Sequence, residues 1–163
     1  MKAYLDNNIV SAIAQDDLPA ESAALDRLLL ARERGDVALV TSELALQEIK
    51  NCPELYRKRL ERTFRLLEKV PVVRWDGLVG INVQVDAANC LNAPIIENAP
   101  MYDALLKLGL KEMDAKHVYV AAQTNCDPFL TCDRGILHRA AGIKNICGLA
   151  TERPSALVAR IGC

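Results

Sequence analysis

The sequence predicts an α/β fold, a three-layer α/β/α sandwich around a central, mostly parallel sheet, and three observations carry that expectation. Strand-like and helix-like patterns alternate along the chain, as crossover connections between parallel strands require. Val37-Ala38-Leu39-Val40 is a continuous apolar run of the kind found in strands covered on both faces. Acidic residues stand where apolar runs or helices begin and end, at Asp6, Glu48, Asp114 and Asp133. In open parallel sheets the ligand crevice lies beyond the carboxyl ends of the strands.

Taken in order, Lys2 to Leu5 is a short β-prone start, ended by the polar Asp6-Asn7-Asn8 before a helical stretch around Ile9 to Ala14. Pro19 opens a long helix in which Leu25, Leu28, Leu29 and Arg32 follow the 3.6-residue period, and Gly35 stops it. Asp36 to Val40 reads as the second strand. Thr41 or Ser42 then caps a helix carrying Leu44, Leu46, Glu48 and Ile49. Pro53 begins a helix over Glu54 to Lys69, apolar on the face of Leu55, Leu60, Phe64 and Leu67. Val70 to Val73 is a strand interrupted by Pro71, which places it near a sheet edge.

Val79 to Val85 alternates like a strand, and Asn89 to Pro100 reads as an irregular loop. Met101 to Leu108 is helical and ends at Gly109; Asp114 caps a further helix through Gln123. Pro128 to Cys132 is a buried strand that delivers Asp133, Ile143 to Leu149 is read as a last strand, and Pro154 starts a C-terminal helix at its first position.

The 163 residues suit one domain, 1–163, with enough length to bury a core unaided. A hydrophobic fraction of 51% with 25% charged residues excludes a wholly disordered chain. No apolar run approaches the roughly 20 residues needed to span a bilayer, so no membrane partner is expected. The opening residues lack the apolar stretch of a signal peptide, which points to a cytoplasmic location. Six cysteines without a C-x-x-C pair are expected to be mostly reduced core residues, and no structural zinc site is indicated. The net charge of −1 means that any nucleic-acid contact must use a local patch.

Four carboxylates converging on one crevice repel one another unless a cation joins them, which suggests Mg²⁺ or Mn²⁺ and phosphodiester chemistry. Asp6 and Asp133 both follow strands, so those strands are expected to be neighbours. Asp114 also reads as a helix cap, and Glu48 competes with the plain solvated acids Glu43 and Glu54. Arg57, Lys58, Arg59, Arg62 and Arg65 form a basic helix face suited to RNA phosphates, with Tyr56 available to stack on a base. The same face also reads as an ion-paired surface, because Glu54, Glu61 and Glu68 lie three or four residues from several of these cations. His117, one turn beyond Asp114, is read as a structural residue without a catalytic role.

As a set, these stretches resemble the PIN domain, a family of metal-dependent ribonucleases that includes toxins of the VapBC toxin–antitoxin type. The resemblance rests on Asp6 followed by Asn8, on Glu48 in a helix introduced by Ser42, on Asp114-Ala115-Lys116-His117 and on Thr131-Cys132-Asp133, in that order. Position 7 departs from it, being asparagine where threonine or serine is usual. The segment at about 76–99 has no counterpart and reads as an insertion, a flap, an oligomer contact or a substrate loop. The resemblance implies a ribonuclease in which Asp6, Glu48, Asp114 and Asp133 hold Mg²⁺ or Mn²⁺, with Asn8 and Thr131 orienting the acids. It further implies RNA as substrate, an antitoxin partner if the chain is a toxin, and a homodimer.

Two other readings compete. An aspartyl-phosphate phosphotransferase would need a second aspartate where Asn8 stands. A non-catalytic PIN-like module would bind RNA or protein through the same site.

Overall fold

The computed structural model describes residues 1–9, 18–45, 70–73 and 99–162. Within them five strands form one parallel sheet: β1 (Lys2–Leu5), β2 (Ala38–Ser42), β3 (Val72–Val73), β4 (Phe129–Leu130) and β5 (Thr151–Glu152). Their spatial order is β3-β2-β1-β4-β5. The chain therefore winds outward from β1 through β2 to β3, then returns to the other side of β1 for β4 and β5. The reversal falls between β1 and β4, paired through Tyr4 with Phe129 and Leu5 with Leu130, and this is the switch point at which open parallel sheets leave a crevice.

Side chains on alternate strand positions divide between two helical layers. Ala3, Leu5, Leu39 and Leu130 face α1 (Pro19–Glu33) and α6 (Pro154–Ile161), burying Leu25, Leu28 and Leu157. Tyr4, Val40 and Phe129 face the opposite way, against α2 (Pro100–Lys107), α3 (Glu112–Gln123) and α5 (Ala140–Cys147). The rings of Tyr4 and Phe129 stack at 5.3 Å between centroids, continuing the strand pairing into the core. The short α4 (Arg134–Leu137) follows β4. The α/β/α sandwich expected from the alternating pattern is thus the architecture of the described residues.

Several elements end as their sequences require. Pro19 and Pro154 each open a helix, where a missing backbone N–H is no loss. Gly35 adopts φ 84°, and the N–H of the following Asp36 bonds Ala31 O at 2.9 Å, closing α1. β3 lies at the sheet edge, where the interrupting Pro71 is tolerated because only its carbonyl is needed; that carbonyl accepts from Thr41 N at 3.2 Å.

Two expectations are corrected. Ile143 to Leu149 is not a strand: helix α5 spans Ala140–Cys147, and the last strand is Thr151–Glu152. A short apolar run does not distinguish strand from helix; here Ile143, Ile146 and Cys147 share one helical face against the core, and Gly148 at φ 73° ends the helix. Asp114 is not the cap of α3, which starts at Glu112 after Lys111, so Asp114 sits in the first turn. Ser42, the last residue of β2, caps the following helix as expected, its Oγ accepting from Ala45 N at 3.4 Å.

Most of the helix around Ile9 to Ala14, the helix Glu54 to Lys69, the strand Val79 to Val85 and the segment 76–99, apart from Ala99, lie outside the described residues. No helix among the described residues is long and apolar enough to cross a membrane. Cys126, Cys132 and Cys147 are free thiols.

Candidate functional site at the sheet switch point

Because all five strands are parallel, the residues that follow β1, β4 and β5 emerge at one edge of the sheet. Backbone pairing persists slightly beyond the strands there: Asp6 N donates to Leu130 O at 3.0 Å, and Thr131 N to Glu152 O at 3.1 Å. These bonds fix Asp6 and Thr131 side by side at the reversal. The Thr131 hydroxyl donates to Asp6 Oδ2 at 2.7 Å and accepts from Asp133 N at 3.0 Å, so one buried hydroxyl links the two acids expected from sequence. Asn8 Nδ2 reaches the same Asp6 oxygen at 3.3 Å. Asn8 and Thr131 therefore both bond the Oδ2 of Asp6.

Asp6 is only 3% exposed. Burial pushes its carboxyl above the ordinary carboxylate value, because the ionised form loses hydration; His117, Thr131 and Asn8 pull it back, and the negative charge of Asp114 adds to the rise. Asp114, in the first turn of α3, is thus electrostatically coupled to Asp6. Asp133 is half-buried, and its Oδ1 accepts from Ile136 N at 3.1 Å, capping α4. Glu48 and the basic face of Arg57, Lys58, Arg59, Arg62 and Arg65 lie outside the described residues.

A hydrogen-bonded chain that sequence reading did not anticipate is built on Tyr4, two residues before Asp6. Tyr4 OH donates to Ser42 Oγ at 2.6 Å and meets His117 Nδ1 at 2.7 Å, with all three side chains buried. Tyr4 has a single hydroxyl proton. The short Tyr4–His117 contact fixes the imidazole's orientation, and His117 is among the groups that lower the Asp6 carboxyl. The signal for this chain was the two-residue spacing of Tyr4 and Asp6, which puts both on one face of β1 and its extension.

The donor set of Asp6, Asp114 and Asp133 is all oxygen, the chemistry of a hard divalent cation. A buried carboxylate raised further by a neighbouring carboxylate is also the situation such a cation relieves. Among the described residues, however, no group of three or more histidine, cysteine, aspartate or glutamate side chains is gathered closely enough to hold a metal ion. No known family profile, curated protein or solved structure matches this chain.

Proposed function

We propose that the chain is a metal-dependent ribonuclease of PIN type that hydrolyses RNA phosphodiester bonds at the edge of the sheet where β1 and β4 meet. The observation that supports it best is the Asp6–Thr131–Asp133 linkage at the switch point, with Asp114 coupled to Asp6. In this reading Asp6, Asp114 and Asp133, together with Glu48, hold Mg²⁺ or Mn²⁺. When bound, the ion supplies a water of lowered pKa and charge neutralisation at phosphate.

The chain's own contribution is orientation. Thr131 and Asn8 hold Asp6 by Oδ2, so that Oδ1 would be the oxygen offered to a cation, and the bonds that Asp6 N and Thr131 N donate to Leu130 O and Glu152 O keep the two residues in register. His117, fixed through Tyr4, favours the ionised form of Asp6 that a metal needs. RNA is the proposed partner, an antitoxin a further one if the protein acts as a toxin, and a homodimer follows from the same family reading; the proposed setting is cytoplasmic.

The test is cleavage of single-stranded RNA with Mn²⁺ or Mg²⁺, against chelator and against Asp6→Asn. Cleavage that requires metal and falls at least about 100-fold in the variant supports the mechanism, since each 1.4 kcal/mol of transition-state stabilisation is worth a factor of ten. Metal-independent cleavage or full activity of the variant sinks it.

A second reading, a non-catalytic RNA- or protein-binding module, is favoured by the engagement of Asp133 Oδ1 as a helix cap. It predicts RNA or protein binding without cleavage in the same assays.

A further inference from the structure

The edge of the sheet that carries Asp6 also opens, beside β4 and β5, into a cleft of about 780 Å³, within the size range of ligand sites. Arg134, His138 and Arg153 contribute to its walls with the apolar Leu137 and Ala156. Arg134 follows Asp133 directly and Arg153 follows β5, so the parallel sheet itself brings both guanidinium groups to the acid-bearing edge. The acid in the wall, Glu152, is engaged by Arg160 at 2.6 Å, and Arg153 lies 3.6 Å from the buried Glu21. Arg134 is exposed and makes no ion pair among the described residues. Its neighbour Asp133 uses Oδ1 to cap Ile136 N, and among the described residues the Arg134 guanidinium is a cation of the cleft without an ion-pair partner.

We propose that this cleft seats the nucleotide next to the scissile phosphate of a single-stranded RNA. Arg134 and Arg153 take its phosphate through their forked N–H donors, and Leu137 and Ala156 lie against its base. Two features select RNA over a small anion: the cleft is far larger than one phosphate requires, and its cationic and apolar walls match the two halves of a nucleotide. The proposal rests on the acid-site reading, because it treats cleft and acids as consecutive parts of one strand path.

The experiment measures binding of a short fluorescein-labelled single-stranded RNA to the full chain by anisotropy, in chelator, over a salt series. Arg134→Ala combined with His138→Ala alters two exposed side chains, so the fold is retained, and Lys107→Ala with Lys144→Ala serves as a pair outside the cleft. The cleft pair is expected to bind about tenfold more weakly, with a log–log salt slope flattened by about 0.7 for the lost arginine, while the second pair matches the parent. Unchanged affinity and slope in the cleft pair, or no RNA binding by the parent, overturns the proposal. Cleavage with Mn²⁺ separates the two readings. A parent that cuts RNA while the cleft pair cuts with unchanged KM removes the cleft and keeps the nuclease. Cleft-dependent binding without any cleavage keeps the cleft and removes the nuclease.

Discussion

Thr131→Val tests whether one hydroxyl holds the site together. The side chain is fully buried and nearly isosteric with valine, so the substitution removes two hydrogen bonds with little change in volume. One is the 2.7 Å bond to Asp6 Oδ2, which with Asp6 ionised is of the charge-assisted kind worth roughly 1.5–3 kcal/mol. The other is the 3.0 Å bond accepted from Asp133 N, worth about 1 kcal/mol in net terms. Their loss should cost about 2–4 kcal/mol in urea unfolding at neutral pH in chelator.

The sign of the pH dependence follows from Asp6, whose folded pKa is raised. Such a group binds more protons folded than unfolded, so stability falls as pH rises from the ordinary carboxylate range through the raised folded value. Thr131 restrains that fall by favouring the carboxylate. The gap between parent and variant should therefore widen with rising pH across that window and shrink below it, where Asp6 is protonated and its bond to residue 131 is a neutral one. A cost under about 1 kcal/mol at neutral pH, or one independent of pH, would refute the view that Thr131 supports an ionised Asp6.

Three further outcomes are expected. Glu21 is buried in α1 and accepts from Ser155 N at 3.0 Å and Ser155 Oγ at 2.8 Å, so Glu21→Ala should unlatch α1 from α6 and cost about 2–3 kcal/mol; an unchanged urea midpoint would rule this out. Gly142→Ala places a methyl 2.5 Å from Leu108 Cδ1, and the overpacking cost of about 1–3 kcal/mol should outweigh the helix gain of about 1 kcal/mol, lowering Tm; a rise in Tm would show that Leu108 moves aside freely. Burial, with Glu21 and Asp6 nearby, pushes the Cys132 thiol up to about 11, so only about one molecule in 1,000 carries the thiolate at pH 8. Site-resolved mass spectrometry should find it alkylated far more slowly in the folded than in the unfolded protein, and equal rates would contradict its burial.

The fold was legible where period and punctuation agreed. Pro19 with its spaced leucines, and Pro154 at a first helical position, carry local signals that no tertiary contact had to override. The stretch Ile143 to Leu149 misled because its apolar content fits both a buried strand and a helix packed on one side. The deciding facts were tertiary: the sheet already had β5 at Thr151–Glu152, and Ile143, Ile146 and Cys147 needed a helical spacing to meet the core together. Asp114 misled for a related reason. Aspartate is favoured both as a cap and within the first turn, and the helix begins at Glu112, two residues before Asp114.

The site was legible in its residue types and order, because Asp6 and Asp133 each end an apolar run and strand order could be argued from position alone. What composition could not supply is the chemistry of the contact between them. Thr131 is a common residue at a strand end, and only the adjacency of β1 and β4 turns its hydroxyl into the link between two acids. Tyr4 likewise reads as a core aromatic. Its ring does pack on Phe129, yet its hydroxyl also meets His117, whose charge acts on Asp6. Asp133 holds the sharpest tension: its Oδ1 caps α4, so a cation held as proposed would have to share that carboxylate with the cap. Capping and metal binding are compatible on a carboxylate with two oxygens, and on the proposed reading the cap's N–H would hold the Asp133 carboxylate as the Thr131 hydroxyl holds that of Asp6.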